Sequence, residues 1–359
     1  MTLSCGAEQM LKRLLMCDVS FANKTIVVSL TDLGMVGQSL QVMGGTVYGL
    51  HMRRPFSLPV FLLRLRQFKP DIVQTWMYHL ELLGGLAARL AGCKRVIWGI
   101  RRTHFNGVRN PTYWIMKICA LFFYFVPTKI VCVAEAAPDA HIDYSYCATK
   151  MQVIPNGFNF DRFDPSGVDL YIVRVEFDLD SSVPIIGCVG RFHTDKGQDV
   201  FVQAAALVAR KSEGVRFMLV GGNGQIYNLI RSLGLESRFL LLGERDDIPE
   251  CLAAIDLFCM SSRTEGFPNG LGEAMAMSLP CVATNVDDTK VLTGETAKLV
   301  TPENPGALAN ALSAVLALSN EQRQAMGQRA AGRVRSEFSI DKTRERFNAL
   351  YQQVMESKA

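Results

Sequence analysis

This 359-residue sequence is short of several things. No Cys-x-x-Cys pair occurs among its ten cysteines, and none of its five histidines stands at zinc spacing from them, so nothing implies a structural metal site. Scattered cysteines suit a reducing compartment, where they act as small buried apolar side chains. Low-complexity tracts and fixed-period repeats are absent too, which argues against disordered linkers and repeat arrays. The opening Met-Thr-Leu-Ser-Cys-Gly carries no basic region followed by an apolar core, so nothing reads as a signal peptide and a cytoplasmic location is expected. The most apolar stretch, Tyr113 to Val126, is interrupted by Lys117 and closed by Pro127, too short to cross a bilayer. It forms either a buried helix or one whose apolar face dips into a bilayer, as a protein peripheral to the inner membrane surface would need.

What is present is the composition of a folded protein with large cores: 49% hydrophobic and 20% charged residues, in a chain long enough for two domains. Charge is divided unevenly. Residues 1–157 hold 17 Lys and Arg against 8 Asp and Glu, whereas the remainder holds 21 against 26. The basic clusters of the first half, Arg53-Arg54, Arg64, Arg66, Lys69 and Arg101-Arg102, face anionic lipid headgroups or a lipid-pyrophosphate acceptor, or else make an ordinary solvated face. Nucleic acid is not expected, because no aromatic stacking array is interleaved with them and no binding motif is present.

One stretch organises the rest: Ser261-Ser262-Arg263-Thr264-Glu265-Gly266-Phe267-Pro268-Asn269-Gly270-Leu271-Gly272-Glu273-Ala274-Met275. The apolar run before it, Ile255 to Met260, reads as a buried parallel strand, and Gly-Phe-Pro-Asn-Gly cannot continue it. Leu271, Ala274, Met275 and Ser278 then fall at helical spacing, which places Glu265 in a loop at the carboxyl end of a strand and Glu273 about one turn into a helix. Open α/β sheets bind ligands at that edge. Two carboxylates with backbone N–H groups between them suit a ligand rich in hydroxyls that also carries phosphate; the plain alternative is a loop cap and a solvated helix residue. Upstream, the strand Pro184–Val189 delivers Arg191 at its end, with Lys196-Gly197 after a short loop. A guanidinium and an ammonium at one strand-to-helix turn suit a diphosphate.

These residues carry a resemblance. Glu265 and Glu273 at that spacing, the Gly190-Arg191…Lys196-Gly197 loop and the run Leu279-Pro-Cys-Val-Ala-Thr284 resemble the signature of the nucleotide-sugar glycosyltransferases called family 4. The resemblance implies an α/β GT-B fold, two Rossmann-like domains facing each other across a cleft: residues 1–157 for the acceptor, 158–340 for the nucleotide sugar, and a C-terminal helix, 341–359, crossing back to the first domain. It implies retention of anomeric configuration, no metal, and no cofactor beyond the donor. By the same resemblance Arg191 and Lys196 hold the diphosphate with the segment Gly266, Phe267, Pro268, Asn269, Gly270 and Leu271. Glu265 grips hydroxyls of the transferred sugar, Glu273 the ribose, and the backbone near Arg245 the base.

In the first half, alternating strands and helices give the βαβ pattern of a parallel sheet: a strand at 25–30, a helix at 59–68, a strand at 71–76, a small-residue helix at 82–89 and a strand from 95. Ser4 to Leu11 resembles the family's glycine turn at the reacting sugar, with Gly6 kept and Cys5 in place of the first glycine. Almost nothing precedes that turn, so the first strand implied by the resemblance is expected to be missing. His79 and His104 both follow strand ends; the resemblance puts His79 at the transferred sugar and His104 on the acceptor side. Asp178-Leu-Asp180 looks like a metal-binding Asp-x-Asp, but it precedes a strand and reads as a solvated linker. Helices are expected over 305–318 and, unbroken, over 321–355. The function implied is sugar transfer from a nucleotide-diphosphate sugar to a saccharide or lipid-linked acceptor, in bacterial polysaccharide, lipopolysaccharide or capsule synthesis. The rivals are a nucleotide-sugar epimerase on the same fold and a non-catalytic partner that binds nucleotide sugar or membrane.

Overall fold

The computed structural model describes residues 6–18, 24–51, 57–103, 111–169, 172–180, 182–221 and 224–357. In chain order the elements begin with α1 (Gly6–Met16), β1 (Ile26–Ser29), α2 (Gly34–Val42), β2 (Thr46–Gly49), α3 (Ser57–Phe68), β3 (Val73–Gln74) and α4 (Tyr78–Leu90). They continue with β4 (Val96–Ile100), α5 (Pro111–Phe122), β5 (Lys129–Cys132), α6 (Ala136–Ile142), β6 (Met151–Val153) and α7 (Ile172–Glu176). Next come β7 (Ile185–Val189), α8 (Gln198–Ala209), β8 (Arg216–Val220), α9 (Gly224–Ser232), β9 (Phe239–Gly243), α10 (Ile248–Ala253) and β10 (Leu257–Met260). The chain closes with α11 (Asn269–Ala276), β11 (Cys281–Thr284), α12 (Thr289–Thr293), β12 (Lys298–Val300), α13 (Pro305–Leu316), α14 (Asn320–Glu337) and α15 (Ile340–Glu356).

Two units result, one of Met1–Gly157 with Ile340–Ala359 and one of Phe158–Ser339. Every described ladder is parallel. The second unit is a six-stranded sheet in the order β12-β11-β10-β7-β8-β9, reversing direction at the β10/β7 neighbourhood. Alternate residues of its central strands, Ile186, Cys188, Phe217, Leu219, Leu257 and Cys259, face a core with Phe201 and Val208 of α8 and Leu308, Leu312 and Val315 of α13. Phe258, of opposite parity, faces α11 instead, where a Cβ at Gly270 would lie 4.0 Å from its ring. That face is so closely packed that a Cβ on Gly272 would come within 2.0 Å of the Phe158 ring, so only glycine fits there.

The described strands of the first unit form two sheets, β1-β2 and β3-β4-β5-β6. Met10 and Leu14 of α1, with Phe347, Leu350 and Val354 of α15, cover Ile97, Val131 and Ile154 on the four-stranded sheet. Leu15, one position on, turns to the other sheet, packing with Val36, Leu40 and Val47. The helix expected over 321–355 is two helices, because α14 ends at Glu337, with Phe338 as its C-cap, and the chain pairs Ser339 with Phe158 in a parallel bridge before α15 starts. The nine described cysteines are free thiols, most of them buried. Burial pushes the Cys132 and Cys188 thiols up to about 12, so they behave as apolar side chains.

Candidate functional site

The second unit gathers its charged residues at the carboxyl ends of β7 and β10, adjacent parallel strands next to the order reversal. Past β7 the chain makes a 3-10 turn, Thr194–Lys196, and enters α8 through Gly197 at φ +57°. A Cβ there would meet the Ser261 carbonyl oxygen at 2.1 Å, so glycine is required both by the left-handed turn and by the close approach to the end of β10. Ser261 Oγ donates to the Lys196 carbonyl at 3.1 Å, and Arg263 N donates to the Asp195 carbonyl at 2.7 Å. The two strand ends are thus sewn together by one backbone–backbone bond and one from a serine hydroxyl.

This seam puts Lys196 Nζ 2.7 Å from each oxygen of Glu265. The Glu265 side chain is only 7% exposed and that of Lys196 30%, so the pair lies at the wall of a recess rather than on open surface. Ser262 Oγ also donates to Glu265 Oε1, at 2.7 Å. From the next strand along, Thr284 at the end of β11 donates to the Ser262 carbonyl at 2.6 Å. Just beyond it Asp287 accepts from Glu265 N at 2.7 Å and from Thr264 Oγ1 at 2.9 Å, its own backbone held at φ +43°. A non-glycine residue in that conformation is a local strain, sustained here by the loop it anchors. Gln198, 2% exposed, donates to the Gly190 carbonyl at 2.8 Å, while its Oε1 has no hydrogen-bond partner among the described residues. The recess it lines also touches Gly270 and Leu271, at the start of α11.

Of the residues expected from sequence, Lys196, Glu265, Gly270 and Leu271 meet in this recess. Gly266, Phe267 and Pro268 form the turn into α11, Asn269 is its first residue, and Glu273 is half-buried one turn on. Arg191 is exposed at the end of β7 and has no ion-pair partner among the described residues. Arg245 spends its guanidinium on two carboxylates, Glu176 at 2.8 Å and Asp247 at 2.6 Å, which hold its pKa up and theirs down. His79 is exposed in the first turn of α4 and Gly6 starts α1, both in the first unit; His104 lies outside the described residues. Asp180 closes a turn by accepting from Ser182 N at 2.7 Å, and both it and Asp178 are exposed. Among the described residues no group of three or more His, Cys, Asp and Glu could hold a metal ion.

Sequence reasoning passed over Ser262, Asp287 and Gln198. Asp287 had left a signal: an acidic pair, Asp287-Asp288, beginning three residues after a strand whose carboxyl end opens on the same edge.

The comparisons with known proteins bear on this geometry. The family description Glycosyltransferase Family 4 matches residues 26–162, and Glycosyl transferases group 1 matches residues 183–318. The chain belongs to the family 4, group 1 glycosyltransferases. The second match contains the whole recess, and the fold is that of the GT-B glycosyltransferases. HepE from Anabaena, solved in complex with UDP and glucose, superposes with a TM-score of 0.84 at 20% identity, covering 97% of this chain and 96% of that one. Among the relatives of this chain, the UDP-Gal:alpha-D-GlcNAc-diphosphoundecaprenol alpha-1,3-galactosyltransferase of Escherichia coli is 30% identical over 237 residues, 64% of this chain. The lipopolysaccharide core biosynthesis mannosyltransferase LpsB of Rhizobium meliloti is 27% identical over 226 residues, 59% of this chain. The matches span 61% and 63% of those two relatives, less than two thirds of either.

Proposed function

We propose that this glycosyltransferase moves a sugar from a nucleotide-diphosphate sugar to a hydroxyl of a saccharide or lipid-linked acceptor, with retention of configuration and without a metal, in bacterial polysaccharide, lipopolysaccharide or capsule synthesis. The observation that carries the reading is the Lys196–Glu265 pair, set at the carboxyl ends of two central strands beside the start of α11. In it Arg191 and Lys196 take the diphosphate together with backbone N–H groups at the start of α11, where the helix dipole favours an anion. Glu265 accepts from hydroxyls of the transferred sugar and Glu273 from the ribose; the base lies against the backbone after Gly243. His79 and Gly6 act at the transferred sugar, and His104 on the acceptor side.

The pair gives the electrostatics a specific form. Without donor, Lys196 is neutralised by a carboxylate that is itself almost out of water. An arriving diphosphate competes for that ammonium and frees Glu265 oxygens for sugar hydroxyls. As the glycosidic bond breaks, charge on the leaving diphosphate grows, and Arg191 and Lys196 stabilise it more than they did the ground state. The names of the two relatives, one acting on a diphosphoundecaprenol-linked sugar and one in lipopolysaccharide core synthesis, support the acceptor class.

A thermal-shift screen of UDP-, GDP- and ADP-sugars on the chain and on Glu273→Ala tests this. One donor at about 100 times its Kd stabilises the protein by about 2.7 kcal/mol, a shift of about 5–11 °C for a unit of about 150–250 residues. The variant weakens binding by about 1–3 kcal/mol, because a ribose hydroxyl loses its acceptor. Free nucleotide released with net transfer identifies the transferase, whereas an epimerised donor with no nucleotide release identifies the rival. No shift with any donor, from folded protein, overturns the reading.

A further inference from the structure

The apolar stretch after Asn110 divides by face. Met116, Cys119 and Phe123 are completely buried. Trp114 is 59% exposed, Ile118 40%, Leu121 72%, Phe122 37% and Phe125 79%. Counted from Trp114 these are positions i, i+4, i+7, i+8 and i+11, one continuous stripe along α5 and the turn after it, and Tyr124 beside them is 65% exposed. Apolar side chains scattered singly on a surface need no explanation, but a continuous stripe of five marks a contact surface.

Two further features say what covers it. From Glu81 to Glu135 the sequence has no acidic residue between, and eight basic ones: Arg89, Lys94, Arg95, Arg101, Arg102, Arg109, Lys117 and Lys129. Four of the carbonyls at the exposed end of the stripe are also already taken. Lys150 Nζ donates to those of Phe123, Tyr124 and Pro127 at 3.0, 2.8 and 2.8 Å, and Arg89 Nε to that of Val126 at 2.9 Å. A backbone turn entering an apolar medium must have its polar groups satisfied from within. Lys117 keeps its ammonium over the Tyr144 ring, 4.8 Å from the centroid.

We propose that this stripe docks on an anionic phospholipid bilayer, with α5 lying along the surface and Trp114, Leu121 and Phe125 at the boundary between headgroups and acyl chains. Aromatic and aliphatic side chains on a helix flanked by cations are the composition of interfacial helices, and α5, at 12 residues, lies on the surface and does not cross it. A second copy of the chain is a worse occupant, since a two-fold contact through this stripe sets the acid-free region against itself. Docking of this stripe does not depend on sugar transfer, and it is tested without donor or acceptor.

The full chain is sedimented with vesicles of phosphatidylcholine alone and of phosphatidylcholine with phosphatidylglycerol. The chain has three tryptophans, and Trp98 is fully buried, so quenching by lipids brominated along the acyl chain reports mainly on Trp114. Expected are binding to the anionic vesicles that weakens with salt, Trp114 quenching that disappears in Trp114→Phe while binding persists, and about a tenfold loss of binding in Leu121→Glu/Phe125→Glu. Both substituted side chains are exposed, so the variant keeps its thermal midpoint. The proposal is overturned by absence of binding, by equal binding to neutral vesicles, or by a variant that binds like the parent. A concentration-dependent dimer broken by the same variant gives the stripe to a second copy and overturns it equally.

Discussion

Glu265 and Glu81 are both removed from water, one in each unit, and they are held in opposite ways. Glu265 has a cation on both oxygens, a serine hydroxyl on one of them and an aspartate holding its backbone N–H. Glu81, in the first turn of α4, is wholly buried, and among the described residues neither of its oxygens has a hydrogen-bond partner; nor do the buried Trp98 Nε1 and Thr103 Oγ1 in the same unit. Burial pushes the Glu81 carboxyl up to about 8 from 4.5, against a weaker pull from the charge of Arg101. A buried carboxylate that is paired stays charged and can exchange partners with a ligand, whereas one without a partner stays protonated. The second unit spends its polar groups on one preorganised site, and the first unit carries a neutral acid in its interior.

The largest effect follows from Glu81. Its folded pKa lies above its unfolded value, so the stability it allows is fully present below pH 4.5 and is lost as pH rises to about 8. The slope is at most about 1.4 kcal/mol per pH unit. Glu81→Gln stays neutral and loses nothing, so the stability gap between variant and parent widens in favour of the variant over that window. All three tryptophans, Trp76, Trp98 and Trp114, lie in the first unit, so urea unfolding followed by tryptophan fluorescence at pH 5, 6.5 and 8 reads this unit directly. A gap that does not change with pH would remove the contrast between the two glutamates.

Next comes the pair itself. Lys196→Ala is expected to lower turnover by about 10²–10³-fold, the loss of one group that stabilises developing charge. It also strands Glu265, so stability falls with activity. Adding Glu265→Gln separates the two roles: the double variant recovers stability, since no buried charge is left alone, and recovers no activity. Recovery of both would make the pair purely structural.

Asp287 sharpens the comparison from the other side. Asp287→Ala takes away the acceptor for Glu265 N and Thr264 Oγ1, and hydrogen bonds to a charged group are worth about 1.5–3 kcal/mol, so kcat/KM falls by about ten- to a hundredfold. Asp287→Asn keeps an acceptor oxygen and tolerates the left-handed backbone, so most of that loss is restored. Equal losses in the two variants would place the effect in charge rather than in holding the loop.

What the sequence made legible divides along the same line. The strand end, the turn and the helix around Glu265 could be read because an apolar run, a Gly/Pro break and a 3.6-residue period each have a local cause. Lys196 could be read because it follows a strand at a glycine. Asp287 reaches Glu265 from the far side of β11 and Ser262 from three residues back; neither contact has a periodic signature. Glu81 was invisible for a different reason. A glutamate in the first turn of a helix is ordinary, and only packing against the sheet makes this one buried. The break between α14 and α15 was hidden because neither glycine nor proline marks it; Phe338 and Ser339 are placed there by the long-range bridge to Phe158.

The smallest effect is expected at Arg245, which has charge partners as close as those of Lys196 yet lies in a different setting. Glu176 and Asp247 are 42% and 35% exposed, so water and salt screen the ion pairs, and Arg245→Ala costs no more than about 0.2–1 kcal/mol of stability. Four of the five guanidinium N–H groups are already on carboxylates, which leaves a single one, on Nη1. If the base is held through the backbone after Gly243, donor affinity measured by calorimetry changes by less than about twofold, under the about 1.4 kcal/mol of a tenfold change. A tenfold loss would mean that the guanidinium leaves its carboxylates for the donor, as Lys196 is expected to do, and the two cations would then belong to one site.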